Sequence, residues 1–269
     1  MMSTDWATLW RELASRDIQA SAEGAAQMVE RWRRVARQLD SGEKQDPDLL
    51  LDFILGRLMP EMTVLDIGAA IGRWTLPIAE RVRQVTAVEP LPEMRQVLLE
   101  RVSSRALANL KVVDVPWMEA EVPHHDVAIA AHATYTTADL GGFVRKMEAC
   151  ALRTCYLALR VPAHDGVIGE LSERINGRWH DSPNFIVGYN LLLAAGFHPN
   201  VLMETKPVRV WADPTLDHAV ARAKRHLHLT GVGHDAAIRE VLSRRLAFAD
   251  GAYRWPDGMR SALIWWDKG

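Results

Sequence analysis

The sequence lacks the features that mark secreted, metal-binding and membrane proteins. It has only two cysteines among 269 residues, Cys150 and Cys155, and their spacing is not that of a zinc or redox motif. It contains no stretch of about eighteen apolar residues that could cross a membrane. Its first residues lack the basic and apolar regions of a signal peptide. We therefore expect a cytoplasmic protein with reduced thiols and no membrane partner.

A strong excess of charge is also missing. The formal net charge is -2, which gives no general attraction to nucleic acid or to an anionic membrane. Apolar residues make up 48% of the chain, enough for a sizeable core. The unusual count is ten tryptophans, which lie mostly near the two ends of the chain and in a loop. On charge alone, nucleic acid is an unlikely partner.

Strand-like and helix-like runs alternate from Thr63 onward. The strand-like runs, such as TVLDIG and TCYLALRV, are continuously apolar, as expected when helices cover both faces of a sheet. This order predicts an α/β fold with a doubly wound, mostly parallel sheet. The expected organisation is an N-terminal helical lid over 1–45, an α/β core over 46–212, a helical insert over 213–260 and the last core strand over 261–269.

Small residues follow the first predicted strand, VLDI. Gly68, Ala70 and Gly72 leave room for backbone N–H groups and the next helix to approach a ligand closely. Asp66 lies at the end of the same strand, where it either faces a cationic amine or only holds the turn. Ligands of open α/β sheets bind at the carboxyl ends of strands, where the strand order reverses. The turn therefore predicts a ligand site.

Two further acids end the next strands and define the ligand more closely. Glu89 ends the second strand, and its carboxylate can accept hydrogen bonds from two ribose hydroxyls. Asp114 ends the third strand and can accept from the exocyclic amine of an adenine. Together with Asp66, these residues describe an adenosine with an amino-acid tail. A nicotinamide dinucleotide fits less well, because the turn reads GAAIG rather than G-x-G-x-x-G.

This pattern resembles the class I S-adenosylmethionine-dependent methyltransferases, whose first motif is an acid followed by G-x-G-x-G, with Ala70 here at the middle glycine. VTAVEP and VVDVPWM resemble the second and third motifs, and the resemblance covers roughly Leu49 to Met203 and the last strand. It implies a seven-stranded Rossmann-like sheet and S-adenosylmethionine as cofactor. The cofactor-binding residues that it implies are Asp66, Gly68, Ala69, Ala70, Gly72, Glu89, Pro90, Asp114, Val115 and Ala131.

The residues that would meet the methyl acceptor are less well defined. His132, at the end of the fourth strand, is the predicted catalytic residue, with a satisfied core histidine as the alternative. Trp10, Tyr135 and Trp179 are the predicted substrate contacts, with packing as the alternative. Neither His124–His125 nor the HLH run at 226–228 is accompanied by a second cluster of donors, so no metal is expected.

Methyl transfer mainly requires that a nucleophile be aligned with the methyl group and that water be excluded. The family's nucleic-acid amino methylases often carry an N/D-P-P-Y/F motif after the fourth strand, where this chain reads AHATYTT. We therefore expect a small-molecule acceptor, in a tryptophan-rich pocket. The alternatives are a protein or RNA acceptor that docks on the basic insert, and a cofactor-binding protein without catalysis. The oligomeric state is unknown from the sequence.

Overall fold

The computed structural model describes residues 4–23, 25–40, 47–163, 166–206, 211–256 and 258–268. The predicted boundary between lid and core, at 45/46, lies outside these ranges. The helices are α1 Trp6–Glu23, α2 Ala25–Asp40, α3 Leu49–Leu55, α4 Thr75–Ala79, α5 Pro92–Ser104, α6 Leu140–Cys150, α7 Val167–Asn176, α8 Phe185–Ala194, α9 Leu216–His226 and α10 Asp235–Arg245. The strands are β1 Thr63–Ile67, β2 Gln84–Val88, β3 Leu110–Val113, β4 His125–Ala131, β5 Ala151–Val161, β6 Asn200–Met203, β7 Ala212–Asp213, β8 Ala247–Ala249, β9 Ala252–Arg254 and β10 Arg260–Asp267.

The main sheet has seven strands in the order β3-β2-β1-β4-β5-β10-β6. Strands β1 to β5 pair in parallel, whereas β10 runs antiparallel to both β5 and β6. The strand order reverses between β1 and β4, which places a crevice at their carboxyl ends. The predicted doubly wound, seven-stranded sheet is therefore confirmed, and the residues after β1, β2, β3 and β4 come to one edge.

The two N-terminal helices pack in different places. Trp10 of α1 is fully buried in the main core beside α8, and its indole Nε1 donates to the carbonyl of Thr137 at 2.8 Å. Helix α2 lies against α5 instead, where Ala36 belongs to a small cluster with Ile71 of the turn after β1. Thus α1 is part of the core layer, and α2 is the N-terminal helix that reaches the crevice.

The segment between β6 and β10 forms a small core of its own. Helices α9 and α10 pack on α7, with Leu171, Val220 and Leu242 among the buried residues. A three-stranded antiparallel sheet, β7-β9-β8, completes this unit. The sequence predicted the two helices of this insert but not the small sheet, because strands of two or three residues leave no periodic pattern.

Candidate cofactor and acceptor site

The turn after β1 is held in a conformation that glycine adopts most easily. Gly68 and Gly72 have φ of +77° and +81°, and Ala70 has φ of +47°. The N–H groups of Gly68 and Ala69 both donate to the carbonyl of Val88 at the end of β2, at 2.8 and 3.2 Å. The turn is thereby fixed to the neighbouring strand, in the position that a ligand-binding turn requires.

A buried carboxylate lies beneath this turn. Asp66 is 2% exposed, and the hydroxyl of Thr75 donates to its Oδ2 at 2.5 Å. Burial raises the pKa of Asp66 to about 6; the hydrogen bond from Thr75 opposes this shift and the negative charge of Glu89 adds to it. A buried acid with so little compensation destabilises the free chain. Asp66 thus holds Thr75 at the start of α4 and also lines the cavity described below.

We therefore expect Asp66→Asn to stabilise the ligand-free chain at pH 7. The raised pKa favours the protonated acid in the folded state, so the free energy of unfolding falls as pH rises from 3.8 to about 6 and then stays low. Removing this penalty is worth at most about 3 kcal/mol. Thermal unfolding should show a higher Tm for the variant at pH 7 and no gain below pH 4.

The matched control is Asp126→Asn on neighbouring β4. Partial burial acts to raise the pKa of Asp126, but hydrogen bonds from Thr63 and the nearby Arg153 lower it overall. Neutralising this acid should therefore lower the Tm at pH 7. A Tm for Asp66→Asn at or below that of the wild type would show that the carboxylate is compensated in the free chain.

Glu89 supports the turn directly. It is 4% exposed, its Oε2 accepts from the N–H of Ala70 at 2.8 Å, and its Oε1 accepts from the N–H of Leu91 at 2.9 Å. Burial raises its pKa, while these two backbone hydrogen bonds and the nearby Arg95 act in the opposite direction. Each carboxylate oxygen has a second lone pair, so bonds to ribose hydroxyls remain available. Glu89, which is predicted to bind the ribose, thus also stabilises the turn.

The adenine end of the predicted site is more open. Asp114 is exposed, and its Oδ2 lies 3.9 Å from Arg95 Nη2. Arg95 also donates to the carbonyls of Glu89 and Pro90, which brings the ends of β2 and β3 together. Pro90 is exposed and Val115 is half-buried against the main core. These positions suit a base lying across the sheet edge, although none of them lines the cavity described next.

A cavity of about 130 Å³ lies above the turn, at the carboxyl ends of β1 and β4. Five predicted cofactor residues line it, as does the predicted catalytic residue. These are Asp66, Gly68, Ala69, Ala70, Ala131 and His132. Trp32 of α2, a tryptophan of the predicted lid, also lines the cavity. The sequence-based reasoning missed the other residues that complete it from distant elements: Asp48 and Leu50 at α3, Arg73, Glu204 after β6 and Ser261 of β10.

His132 is held in a fixed orientation at the edge of this cavity. It has φ of +57°, which is rare for a residue other than glycine and is typical of functional sites. The hydroxyl of Tyr135 accepts from the N–H of Arg160 at 2.8 Å and lies 2.6 Å from Nδ1 of His132. We assign the hydroxyl proton to this second contact, which makes Nδ1 the acceptor. Nε2 then carries the imidazole proton and faces the hydroxyl of Ser261 at 3.3 Å.

This geometry limits what His132 can do. The side chain is exposed to the cavity, yet desolvation by the surrounding protein, with the guanidinium groups of Arg160 and Arg73, lowers its pKa to about 4. The imidazole is thus neutral at pH 7, and its Nδ1 already accepts the hydrogen bond from Tyr135. His132 remains a predicted contact of the acceptor, as a hydrogen-bond donor rather than as a free base.

The predicted substrate contacts lie in three different places. Trp10 has no exposed surface and offers nothing to a substrate. Tyr135 is half-buried, with the guanidinium of Arg160 3.9 Å from its ring centre. Trp179 lines a separate cavity beside the insert. The structure therefore brings Tyr135, but not the two tryptophans, to the edge of the cofactor cavity.

Other candidate features have structural roles. His125 is buried, with hydrogen bonds to the carbonyl of Pro123 and the hydroxyl of Thr86, both at 2.8 Å. Within the described ranges, no group of three or more histidine, cysteine or acidic side chains could hold a metal ion. None of the described helices has the length and apolar character needed to cross a bilayer.

Comparison with known proteins identifies a family whose model matches the part of the chain that contains this turn and loop. Residues 49–142 match the model of the ribosomal RNA adenine dimethylase family. The chain is 28% identical to "Probable ribosomal RNA small subunit methyltransferase A" of Methanosphaera stadtmanae, over 35% of this chain and 36% of that protein. It is 32% identical to "Ribosomal RNA small subunit methyltransferase, mitochondrial" of Arabidopsis thaliana, over 30% of this chain and 22% of that protein. The chain thus spans about a third or less of the length of these relatives.

The fold itself recurs over almost the whole chain. The solved structure of magnesium protoporphyrin IX methyltransferase from Synechocystis PCC 6803, with bound S-adenosylhomocysteine, superposes with a TM-score of 0.52. The superposition covers 94% of this chain and 99% of that one, at 12% sequence identity. This likeness concerns the fold alone.

These findings correct two predictions. The small-molecule acceptor and the judgement that nucleic acid is an unlikely partner are both wrong, because the matching family and both relatives are named for ribosomal RNA. Net charge was a poor guide because it averages over the whole chain and says nothing of one cleft.

The cofactor prediction is confirmed. The matched segment contains the turn after β1, Glu89, Asp114 and the loop after β4, in the order and at the strand ends that the S-adenosylmethionine motifs require. The predicted likeness to the class I S-adenosylmethionine-dependent methyltransferases is thus confirmed over the matched segment.

Proposed function

We propose that the chain transfers a methyl group from S-adenosylmethionine to an adenine base of ribosomal RNA. The observation that carries this proposal is the match of residues 49–142 to the ribosomal RNA adenine dimethylase family. This segment holds the predicted cofactor residues together with His132 and Tyr135. We place the reaction in the cytoplasm, because the two cysteines, Cys150 and Cys155, form no disulfide.

The loop after β4 departs from the amino-methylase motif in a way that the cavity can offset. His132, Ala133, Thr134 and Tyr135 occupy the four motif positions, and only Tyr135 matches the N/D-P-P-Y/F pattern. An Asn or Asp at the first position would offer an oxygen that accepts from the exocyclic amine of adenine. In the tautomer assigned above, His132 does not do so, because its Nδ1 accepts from Tyr135 and its Nε2 carries the proton.

Glu204 is suited to provide the missing acceptor. It lines the cofactor cavity with His132, and its Oε2 accepts from the backbone N–H of Ser261 at 2.6 Å. This bond fixes the carboxylate and leaves acceptor capacity on both oxygens. In the proposed reaction Glu204 accepts a hydrogen bond from the adenine amine, which orients the nitrogen lone pair toward the methyl group.

We expect Glu204→Gln to reduce kcat/KM for RNA by about 100-fold, the lower end of what a positioned acid or base contributes, because the amide oxygen of Gln still accepts. Affinity for S-adenosylhomocysteine should change little. Partial burial raises the pKa of Glu204, and the negative charge of Asp48 adds to this, against Ser261 and Arg73. Since the ionised form accepts, wild-type activity should fall as pH drops through this raised pKa, and the variant should lose that acid limb.

The control for this variant is Glu119→Gln, which removes one negative charge from an exposed surface position. It should keep both the rate and the pH profile of the wild type. An unchanged profile in Glu204→Gln would remove Glu204 from the reaction.

Methyl transfer itself is tested with S-adenosylmethionine labelled with tritium in the methyl group and protein-free ribosomal RNA. After digestion to nucleosides, the proposal predicts label in N6-methylated adenosine. Label only in other nucleosides would correct the acceptor base. Label in added protein but not in RNA, or no transfer to either, would reject the proposal.

A further inference from the structure

A second cavity, with a volume of about 120 Å³, lies between the end of β5 and the insert. We call it the aromatic cavity and define it by Trp179, Trp211, Trp255, His226 and Arg160, which are among the residues that line it. It shares no lining residue with the cofactor cavity.

The walls of the aromatic cavity are held rigidly. Trp255 donates its indole N–H to Asp213 at 2.8 Å, and Arg222 donates two hydrogen bonds to the same carboxylate. Trp211 contacts Trp255 edge to face, with ring centres 5.5 Å apart. Trp179 packs on α7 so closely that a Cβ at Gly169 would lie 2.5 Å from its ring. Because these aromatic side chains are already fixed, they lose little conformational entropy when a planar ring binds in the cavity.

One polar side chain in this cavity, His226, has no hydrogen-bond partner among the described residues. His226 stacks on Trp211, with ring centres 4.6 Å apart, yet neither of its ring nitrogens is hydrogen-bonded in the described part of the chain. Burial, together with the positive charges of Arg160 and Arg222, lowers its pKa to about 4. The neutral imidazole therefore offers one donor and one acceptor at pH 7, which suits the edge of a heterocyclic base.

The structure supports docking of RNA on the basic side chains of the insert less well than stacking of a base in the aromatic cavity. Arg222 is committed to Asp213, and Lys224 to Asp235 at 2.6 Å. Arg239 and Arg174 form ion pairs with Asp217 and Glu240 in the same way. The insert thus contributes an aromatic cavity more clearly than a charged surface.

We propose that the aromatic cavity binds a nucleobase of the RNA that is turned out of its stack and lies next to the base being methylated. This inference rests on the proposed function. Arg160 lines the aromatic cavity and lies over the ring of Tyr135, which is bonded to His132 at the cofactor cavity. The two cavities are therefore neighbours. Because they share no lining residue, the base bound here is a flanking one, and it makes methylation depend on sequence context.

The test measures binding of a fluorescein-labelled hexamer of adenylate by anisotropy. We expect His226→Phe, which keeps an aromatic ring but removes both nitrogens, and Trp179→Leu to weaken binding by at least about tenfold. Both should raise KM for RNA more than they change kcat, with affinity for S-adenosylhomocysteine unchanged. His234→Phe, at an exposed histidine of the same insert, should bind as the wild type does.

Each outcome separates the inference from the proposed function. Hexamer binding by both variants within twofold of the wild type would overturn the inference while leaving RNA methylation intact. Adenosine 5′-monophosphate that binds more tightly than the hexamer, and only when His226 is present, would assign the cavity to a free nucleotide and overturn the RNA inference. A wild-type chain that neither binds the hexamer nor methylates ribosomal RNA would reject the proposed function as well.

Discussion

Replacing Gly68 by alanine is expected to reduce methyl transfer by about 100-fold, the scale of loss that a displacement of about 1 Å causes in a positioned site. Gly68 has φ of +77°, and an added Cβ would lie 2.4 Å from Cβ of Ala133 in the loop after β4. The turn that holds the cofactor and the loop that carries His132 would have to move apart. Affinity for S-adenosylhomocysteine and the rate of transfer should therefore fall together.

Gly177→Ala is the control that separates the effect of backbone strain from the effect of moving the turn away from the loop. Gly177 also has a left-handed φ, +69°, but no atom lies within 4 Å of an added Cβ. It should therefore lose about 1–2 kcal/mol of stability from backbone strain alone and keep its affinity for S-adenosylhomocysteine. Equal effects of the two substitutions on affinity would mean that contact between turn and loop does not shape the site.

Glu89→Ala is expected to weaken binding of S-adenosylhomocysteine by about 100-fold or more. Two charge-assisted hydrogen bonds to the ribose are at stake, each worth about 1.5–3 kcal/mol as an upper range. The structure adds a second cost, because the N–H groups of Ala70 and Leu91 lose their partners. Calorimetric titration should show the loss of affinity, and thermal unfolding should show a lower Tm in the absence of ligand.

Glu93→Ala provides the matched control, since Glu93 is an exposed acid in the first turn of α5. It removes the same charge close to the same site and should leave affinity unchanged. Full affinity in Glu89→Ala would show that the ribose is bound by other groups and that Glu89 serves only the turn.

Residues close together in sequence allowed the cofactor half of the site to be predicted. Asp66 lies near the end of β1, Gly68 and Ala70 come directly after it, and Glu89 and Asp114 directly follow β2 and β3. In a parallel sheet the ends of successive strands meet at one edge, so strand order and residue type were enough. The support that Glu89 gives to Ala70 was not predictable, because it depends on side-chain direction in the folded turn.

The acceptor half of the site could not be predicted in the same way. Asp48, Glu204 and Ser261 come from elements far apart in the chain and meet only because β10 inserts beside β5. Their neighbours in sequence carry no motif. The role of the tryptophans was hard to predict for a related reason. Apolar residues on one side of a helix predict that this side is buried, but not which part of the protein covers it. Trp10 proved to be core, whereas Trp32 lines the cofactor cavity.

Binding of S-adenosylmethionine in the crevice between β1 and β4 can be measured by calorimetric titration of the wild-type chain with S-adenosylhomocysteine. We expect one binding site per chain, lost in Gly68→Ala, and no heat of binding for nicotinamide dinucleotides. Tight binding of NAD with no response to S-adenosylhomocysteine would contradict this expectation.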